Sequence, residues 1–260
     1  MSTTTLNLQI PTAWNSLSQE QLYYTYTLLS SNEFPLDEVK VYCFLRFSGL
    51  KQVRGHSASD HGSRSFVVLK DGSKYQTGRY ILRYRQISEH LDKLNFLGEI
   101  PQYPIRLEFI KYKKRDYIPR DARFADVPFQ DYLQIDNLYV GYLHTRNNEL
   151  LDRITAILYQ IPDYEPSEAV DKVYSFNTLM WIAGFKNYCL REFPDLFTGD
   201  VSSISSGDLQ RELTDSMNAQ ILALTGGDLT KERQVLESDT IRALTNLNAI
   251  ARQAKKLNEK

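Results

Sequence analysis

Hydrophobic residues recur at every third or fourth position near both ends of the chain, and this spacing predicts a mainly α-helical fold. Ser18 and Gln21 match a capping box, so we expect a helix to begin there and to end before Pro35. A second helix is predicted over 36–47, with Gly49 as its C-terminal cap. The chain therefore begins with a predicted helical hairpin.

One short stretch has the pattern of β structure instead. The segment FVVLKDGSKYQ, residues 66–76, combines an apolar β-branched run with an Asp71-Gly72 turn pair, which predicts a β-hairpin. The next segment, RYILRYRQ (79–86), fits either a further strand or the start of a helix. From 99 to 128 the chain is rich in proline and mixed in charge, and the pattern indicates only a strand around 105–110.

Helical periodicity returns in the second half of the chain, and the composition then changes. Three helices are predicted, over 129–144, 148–159 and 167–193. Neither an aromatic residue nor a proline occurs from Val201 to Lys260, whereas a compact domain normally builds its core on aromatic side chains. We therefore expect an aromatic-rich, mostly helical body at 1–198, a linker loop at 199–207 and a helical hairpin appendage at 208–260.

A pair of glycines, Gly226-Gly227, separates the two helical segments of this appendage. The pair follows an apolar stripe that ends at Leu224, and it precedes Asp228 and Thr230, either of which can supply an oxygen that caps the next helix. A phosphate-binding loop would need a strand before the glycines and a Lys followed by Ser or Thr after them. The order here is helix, glycines, Thr, Lys, so we interpret the stretch as an elbow between helices.

The last helical segment, 232–257, has more apolar positions than one neighbouring helix covers. Its spacing alternates steps of four and three, the repeat of a helix–helix contact. We expect one side to pack across the elbow on 209–224 and the other side to bind a partner protein. The predicted partner-binding residues are Leu236, Ile241, Leu244, Leu247, Ile250 and Leu257. The alternative, in which the whole stripe docks on its own domain, is equally compatible with the pattern.

The segment 106–123 contains the densest local cluster of basic residues, interleaved with Phe and Tyr. Cations that neutralise phosphates and rings that stack on bases are the composition of a single-stranded nucleic-acid surface. The candidate contacts are Arg106, Lys111, Lys113, Lys114, Arg115 and Arg120. Acidic residues dilute this charge and no nucleic-acid-binding motif frames it, so a solvated face or the rim of a protein interface is favoured.

The composition is that of an ordinary globular protein and disfavours several classes. A net charge of -1 gives no global attraction to nucleic acid or to an anionic membrane, and no apolar run approaches the length of a membrane helix. The N-terminus lacks the pattern of a secretory signal, and Cys43 and Cys189 both fall on apolar helix faces. We therefore expect a cytoplasmic protein with two reduced core cysteines and no disulfide.

No catalytic or cofactor-binding constellation is apparent in the sequence. The motifs of nucleophilic hydrolases, zinc peptidases and dinucleotide-binding folds are missing. His56, Asp60 and His61 are competent metal ligands within one loop, but no fourth ligand completes the set, so we interpret them as part of a solvated loop. Asp131 and Asp136 are five residues apart on a predicted helix and do not share a face. The sequence thus predicts no enzyme activity, no metal and no cofactor.

Four segments together resemble a known group of proteins: IPTAWNSLSQEQLYYTYTLL, VKVYCFLRFSGL, LLDRITAILYQIP and ILALTGGDLTKERQVLESDTIRALTNLNAIA. Their order and pattern are similar to those of proteins from tail-gene clusters of bacteriophages, prophages and phage-tail-like injection systems of Bacteroidetes-type bacteria. The resemblance implies a tail assembly chaperone or a structural adaptor of the particle. Its partners would be other phage or injection-device proteins, or further copies of itself, and it implies no catalytic residue. A nucleic-acid-contacting accessory protein that uses 106–123 is the alternative function.

Overall fold

The computed structural model describes residues 8–52, 74–77, 80–197 and 209–258 of the 260-residue chain. In this part most residues are in α-helices, with short antiparallel strands between them, which confirms the predicted mainly α fold with a small β element. The chain divides into two compact units, Met1–Ile100 and Pro101–Lys260. This division differs from the predicted body at 1–198 and appendage at 208–260.

The first unit contains the predicted helical hairpin of α1 (Gln19–Ser31) and α2 (Leu36–Ser48). At the start of α1, Ser18 Oγ accepts a hydrogen bond from the Gln21 N–H, and Gln21 Oε1 accepts one from the Ser18 N–H. These bonds satisfy N–H groups that a helix leaves without a partner in its first turn. α2 ends at Gly49, whose φ of 66° costs glycine little because it has no Cβ. Both predicted caps are confirmed.

The strands of the first unit form a three-stranded antiparallel sheet. Its order is β1 (Lys51–Gln52), β2 (Lys74–Thr77) and β3 (Tyr80–Arg83). β3 leads directly into α3 (Tyr84–Ser88), so the segment RYILRYRQ contains both a strand and the start of a helix. The second strand of the predicted hairpin overlaps β2, whereas its first strand and its Asp71-Gly72 turn lie outside the described residues.

Apolar side chains from α1, α2 and a 3₁₀ segment over Leu91–Gly98 form the core of the first unit. Leu22, Cys43 and Leu94 are almost completely buried. Trp14 is also buried, and its indole N–H donates to the Glu99 carbonyl at 2.9 Å, so the one polar atom of this side chain is paired. The apolar residues whose spacing predicts the helical hairpin are therefore the residues that form its core.

The second unit contains three helices that pack in succession: α4 (Phe129–Thr145), α5 (Asn148–Leu158) and α6 (Lys172–Glu192). Their bounds lie close to those predicted, except that α6 begins after residue 167. Asp171 accepts a hydrogen bond from the Val173 N–H and so caps α6, which makes Lys172 the first helical residue.

Aromatic rings dominate the core of the second unit. Phe124 stacks on Phe185 with ring centroids 4.0 Å apart, and it meets Trp181 edge to face at 5.9 Å. Tyr132 contacts Phe185 edge to face at 6.2 Å. Such contacts contribute about 0.5–1.5 kcal/mol each beyond the area that the rings bury. Because α6 provides both Trp181 and Phe185, it is the central helix of this unit.

A buried polar network fixes the chain before the first strand of this unit. Asn177 on α6 accepts a hydrogen bond from the Leu107 N–H at 2.9 Å and donates one to Tyr159 Oη, also at 2.9 Å. The Tyr159 hydroxyl in turn donates to the Leu107 carbonyl at 3.0 Å. Side chains thus satisfy the backbone of an irregular segment that has no ladder partner there.

A two-stranded hairpin of β4 (Ile110–Tyr112) and β5 (Arg115–Tyr117) occupies part of the segment 99–128. Its turn residues, Lys113 and Lys114, have φ values of 47° and 63°, and a type I′ turn requires positive φ at both positions. Lysine has no preference for this conformation, unlike Asn and Gly. No turn signal therefore marks this hairpin in the sequence, and the expected strand at 105–110 begins later than predicted.

The C-terminal part contains α7 (Leu209–Thr225), α8 (Glu232–Leu236) and α9 (Thr240–Asn258), with a 3₁₀ turn over Leu229–Lys231. The predicted elbow is confirmed. Gly226 and Gly227 follow α7 with φ values of 63° and 83°, and Asp228 caps the next turn by accepting a hydrogen bond from the Thr230 N–H.

The chain leaves the helical conformation between α8 and α9, where one continuous helix was predicted over 232–257. The Ser238 carbonyl accepts a hydrogen bond from the Phe129 N–H at 2.8 Å. The Thr240 N–H and hydroxyl both donate to the Val127 carbonyl, at 3.1 and 2.6 Å. The prediction of an uninterrupted stripe is wrong, because these contacts with the start of α4 take the place of helical hydrogen bonds.

α9 is bonded to the chain that follows α6. Asn248 Oδ1 accepts hydrogen bonds from the Asp195 and Leu196 N–H groups, at 2.9 and 3.0 Å. Arg252 donates to the Asp195 carboxylate at 2.8 Å. α9 is thus part of the second unit rather than a separate appendage. The C-terminal segment lacks aromatic residues because it adds aliphatic side chains to the core of the second unit, whose aromatic rings come from earlier in the chain.

Candidate functional site

The predicted partner-binding residues are divided between the interior and the surface of the second unit. Leu244 and Leu247 expose 0% and 4% of their area, so their assignment as partner contacts is corrected to that of core residues. Leu236 and Ile241 are half-buried. Ile250 and Leu257 are exposed. The alternative in which the stripe docks on its own domain therefore describes the first half of α9, whereas Ile250 and Leu257 in its second half are exposed.

Two further leucines, which the sequence pattern did not single out, are exposed beside the elbow. Leu222 near the end of α7 and Leu229 just after the glycines expose 61% and 81% of their area. We refer to Leu222, Leu229, Ile250 and Leu257 as the exposed aliphatic set. Complete burial of a fully exposed leucine or isoleucine side chain is favourable by about 1.5–3 kcal/mol. The glycine pair is the sequence signal that places two of them at a turn, but their exposure depends on packing.

Local bonds fix the elbow that carries Leu222 and Leu229. Asp228 accepts hydrogen bonds from both the N–H and the hydroxyl of Thr230, at 3.0 and 2.6 Å, and pairs with Lys231 at 3.2 Å. The Thr230 hydroxyl, together with Lys231, lowers the pKa of the Asp228 carboxyl, so this cap stays ionised at neutral pH. Leu222 Cδ1 lies 3.9 Å from the position that a Cβ on Gly227 would occupy. The leucines are therefore presented by a defined turn.

The basic segment does not form one continuous cationic surface. Lys113 is paired with Glu165 and Glu168, at 3.6 and 3.0 Å. The Arg120 guanidinium is 3.3 Å from the Asp131 carboxylate, and both side chains are largely buried. These two cations are already neutralised by the chain's own acidic groups.

The other predicted nucleic-acid contacts separate into one inward and three outward side chains. The Arg106 guanidinium lies 5.6 Å from the Trp181 ring centroid, and its residue is half-buried. The exposed cations are Lys111, Lys114 and Arg115 of the β4–β5 hairpin. Phe109 and Ile118, at the base of this hairpin, are exposed as well. The structure thus leaves a small basic hairpin in place of the predicted patch.

The two cysteines have the character of core residues. Cys43 and Cys189 are free and buried, as predicted. Burial raises the pKa of both thiols to about 12, so they are protonated at neutral pH and poorly suited to nucleophilic catalysis. Across the described ranges, no group of three or more His, Cys, Asp or Glu side chains is arranged to hold a metal ion. His56, Asp60 and His61 lie outside those ranges.

Within the part of the chain that the structure describes, no helix has the length and apolar character needed to cross a bilayer. Comparisons with protein-family models, with curated proteins and with solved structures each found no match to this chain. Its function is therefore inferred from its own residues and geometry.

Proposed function

We propose that this protein is a non-enzymatic, phage-type morphogenesis or structural protein that acts through protein–protein contacts, as a tail assembly chaperone or as an adaptor of the particle. The observation that carries the contact role is the exposed aliphatic set, with Leu222 and Leu229 on either side of a hydrogen-bonded elbow. The phage class is supported by the sequence resemblance, whose fourth segment contains this elbow.

The size of the exposed aliphatic set indicates what kind of contact it supports. Because these four side chains expose 40–81% of their area, their complete burial would contribute about 4–8 kcal/mol. Association costs about 4–15 kcal/mol in lost freedom of motion. The set alone therefore gives a weak contact, which suits either a chaperone that must release its client or an adaptor bound in many copies.

Deletion of the gene in a strain that produces the particles tests this proposal. We expect electron micrographs to show particles with missing or malformed tails, and we expect a plasmid copy of the gene to restore them. Mass spectrometry of purified wild-type particles then separates the two roles, because an adaptor remains in the particle and a chaperone does not. Particles of normal shape and normal infectivity without the gene would overturn the proposal.

The basic hairpin favours a second candidate, an accessory protein that contacts nucleic acid. Lys111, Lys114 and Arg115 are exposed together with Phe109, and cations beside an aromatic ring suit a single strand. The pairing of Lys113 and Arg120 with carboxylates counts against it, because the number of phosphates that the surface neutralises falls with each cation already paired.

A further inference from the structure

A cleft of about 530 Å³ opens in the second unit between α4, α5 and the segment that follows α5. α4 contributes Asp131 and Gln134, α5 contributes Arg153, and Gln160 and Tyr164 follow α5. Arg120 completes this polar wall. Nothing in the sequence pattern indicates the cleft, because its residues come from four separate places in the chain.

Backbone hydrogen bonds hold the two sides of the cleft together. The Arg120 N–H donates to the Leu158 carbonyl at 2.9 Å, which ties the Arg120 segment to the end of α5. The chain then turns sharply at Gln160, whose φ is 51°, and the Ile161 N–H returns to the Ala156 carbonyl at 2.9 Å. The polar groups of the cleft are thus attached to fixed backbone, so a ligand would meet a preorganised site.

The lining of the cleft contains two arginines and one aspartate, and Glu149, which pairs with Arg153, brings these charges into balance. Arg120 and Asp131 are paired at 3.3 Å. Arg153 is paired with Glu149 at 2.7 Å, but both of these side chains are well exposed, at 47% and 39%. Exposed pairs of this kind are worth little, so a ligand anion can take over the Arg153 guanidinium at small cost.

Two hydrogen-bonding atoms of the cleft residues are buried without a partner, Tyr164 Oη and Arg120 Nε. Burial, with Asp152 and Glu149 nearby, raises the pKa of Tyr164 to about 12, so its hydroxyl is a donor at neutral pH. A buried donor without an acceptor is unfavourable, and both atoms are ones to which a ligand oxygen can bind. Both atoms are shielded from solvent, so a ligand oxygen reaches them only when neighbouring side chains move.

The rest of the lining defines the other part of the ligand. Ile157 and Pro162 provide apolar surface, and the exposed amides of Gln134 and Gln160 can pair with an amide group. An anion that displaces Glu149 from Arg153 gains one cationic partner, which suits a monoanion better than a dianionic phosphate that would also face Asp131. We propose that the cleft binds a monocarboxylate that carries an aliphatic group, either as a free small molecule or as the C-terminal residue of a peptide. This site does not depend on the proposed function.

N-acetyl-leucine is a suitable probe, because it combines a carboxylate, an amide and a branched aliphatic chain. Titration into the ¹⁵N-labelled full-length chain should shift the amide signals of the cleft residues, with a Kd on the order of 1 mM for a ligand of this size. N-acetyl-leucinamide, which differs only in the missing carboxylate, should bind at least about tenfold more weakly. N-acetyl-Gly-Gly-Gly-Leu distinguishes the sources: tighter binding than the single residue indicates a peptide terminus, and equal binding a free small molecule.

Two variants and a matched control complete the experiment. Arg153→Gln should weaken N-acetyl-leucine binding at least about tenfold, and Tyr164→Phe should weaken it about two- to tenfold. Arg233→Gln should leave binding unchanged, because Arg233 forms an i,i+4 pair of the same type with Glu237 at 2.8 Å, more exposed than the Arg153 pair, and does not line the cleft. The proposal is overturned if no saturable shift occurs up to about 10 mM, if the amide binds as well as the acid, or if a folded Arg153→Gln variant binds normally.

Discussion

Position 184 requires glycine because two stretches of backbone approach each other there. A Cβ at Gly184 would lie 2.5 Å from the Tyr103 carbonyl oxygen and 3.2 Å from Pro104 Cα. No real Cβ contact is as short as the first, and backbone cannot move aside as a flexible side chain can. The segment is also held in place by Asn187, whose side-chain N–H donates to the Pro101 carbonyl at 3.0 Å.

We therefore expect Gly184→Ala to lower the free energy of unfolding by about 1–3 kcal/mol. Gly141 provides the matched control, since it also lies inside a helix, and a Cβ there would meet only the Leu150 side chain, at 3.2 Å. Gly141→Ala should be neutral or stabilising, because alanine favours a helix interior by up to about 1 kcal/mol over glycine. Urea unfolding of both variants measures the difference, and equal effects of the two would contradict the close approach.

For single residues, the helix caps could be predicted from the sequence, whereas the solvent exposure of side chains could not. Ser18, Gly49 and the glycine pair of the elbow act through bonds within a few residues, so their local sequence determines them. Leu247 and Leu257 both lie on the four-and-three spacing, yet one exposes 4% of its area and the other 72%. That difference depends on which neighbours the fold brings to α9.

Two aspartates stabilise neighbouring elements with opposite dependence on pH. Asp152 on α5 is buried and accepts hydrogen bonds from the Ser175 hydroxyl at 2.5 Å and the Val170 N–H at 3.3 Å. Burial raises the pKa of its carboxyl despite these bonds. Asp195, beside α9, accepts a hydrogen bond from Arg252, which lowers the pKa of its carboxyl, and Lys255 acts in the same direction.

The two pKa shifts predict that the contributions of Asp152 and Asp195 to the free energy of unfolding change with pH in opposite directions. For Asp152 the folded state binds more protons than the unfolded state above about pH 3.9, so its contribution to stability falls as pH rises through its raised pKa. For Asp195 the folded state binds fewer protons, so its contribution is complete above about pH 3.9 and is lost as pH falls. Relative to wild type, Asp152→Asn should gain stability with rising pH, whereas Asp195→Asn should lose it. Urea unfolding of the wild type and both variants from about pH 3 to about pH 7 tests both predictions. If the stabilities of the two variants relative to wild type change with pH in the same direction, the opposite roles of Asp152 and Asp195 are contradicted.

The docking of α9 can be tested at Leu244. Replacement of this fully buried residue by Asp should lower the free energy of unfolding by at least about 3 kcal/mol, because it both removes a core side chain and buries a charge. Leu257→Asp adds the same charge to the same helix at an exposed position and should leave stability nearly unchanged. Thermal unfolding distinguishes them. If the Leu244→Asp variant unfolds at the same temperature as the wild type, α9 does not contribute to the core of the second unit.

Most helices could be predicted from periodicity, whereas the break between α8 and α9 could not. The apolar spacing continues across 237–239, and the interruption arises from hydrogen bonds of Ser238 and Thr240 to residues more than a hundred positions earlier. The β4–β5 hairpin was missed for a related reason, since a Lys113-Lys114 turn has no local signal. The predicted boundary near residue 199 differs from the division between Ile100 and Pro101, because composition alone does not show where an aliphatic helix docks.

For the whole molecule, the distribution of charge separates the two candidate functions. Because Lys113 and Arg120 are paired with carboxylates, the predicted contacts that remain for a nucleic acid are the exposed Lys111, Lys114 and Arg115. We expect weak binding of single-stranded DNA, with a slope of log affinity against log salt of about −2, since each of three phosphate contacts contributes about −0.7. Fluorescence anisotropy of labelled single-stranded DNA across a series of salt concentrations measures this slope. A slope that corresponds to six or more contacts would favour the nucleic-acid candidate.

The central claim is that the exposed aliphatic set is the surface through which this protein binds its partners. Its most direct test is complementation of the deletion strain with a chain that carries both Leu222→Asp and Leu229→Asp. Because both residues are exposed, the variant should melt with the wild type, yet we expect it to yield no normal tails in electron micrographs. A control with Asn218→Asp and Gln234→Asp, two exposed polar residues of α7 and α8, adds the same charge and should restore normal particles. Normal particles from the Leu222/Leu229 variant would contradict the claim.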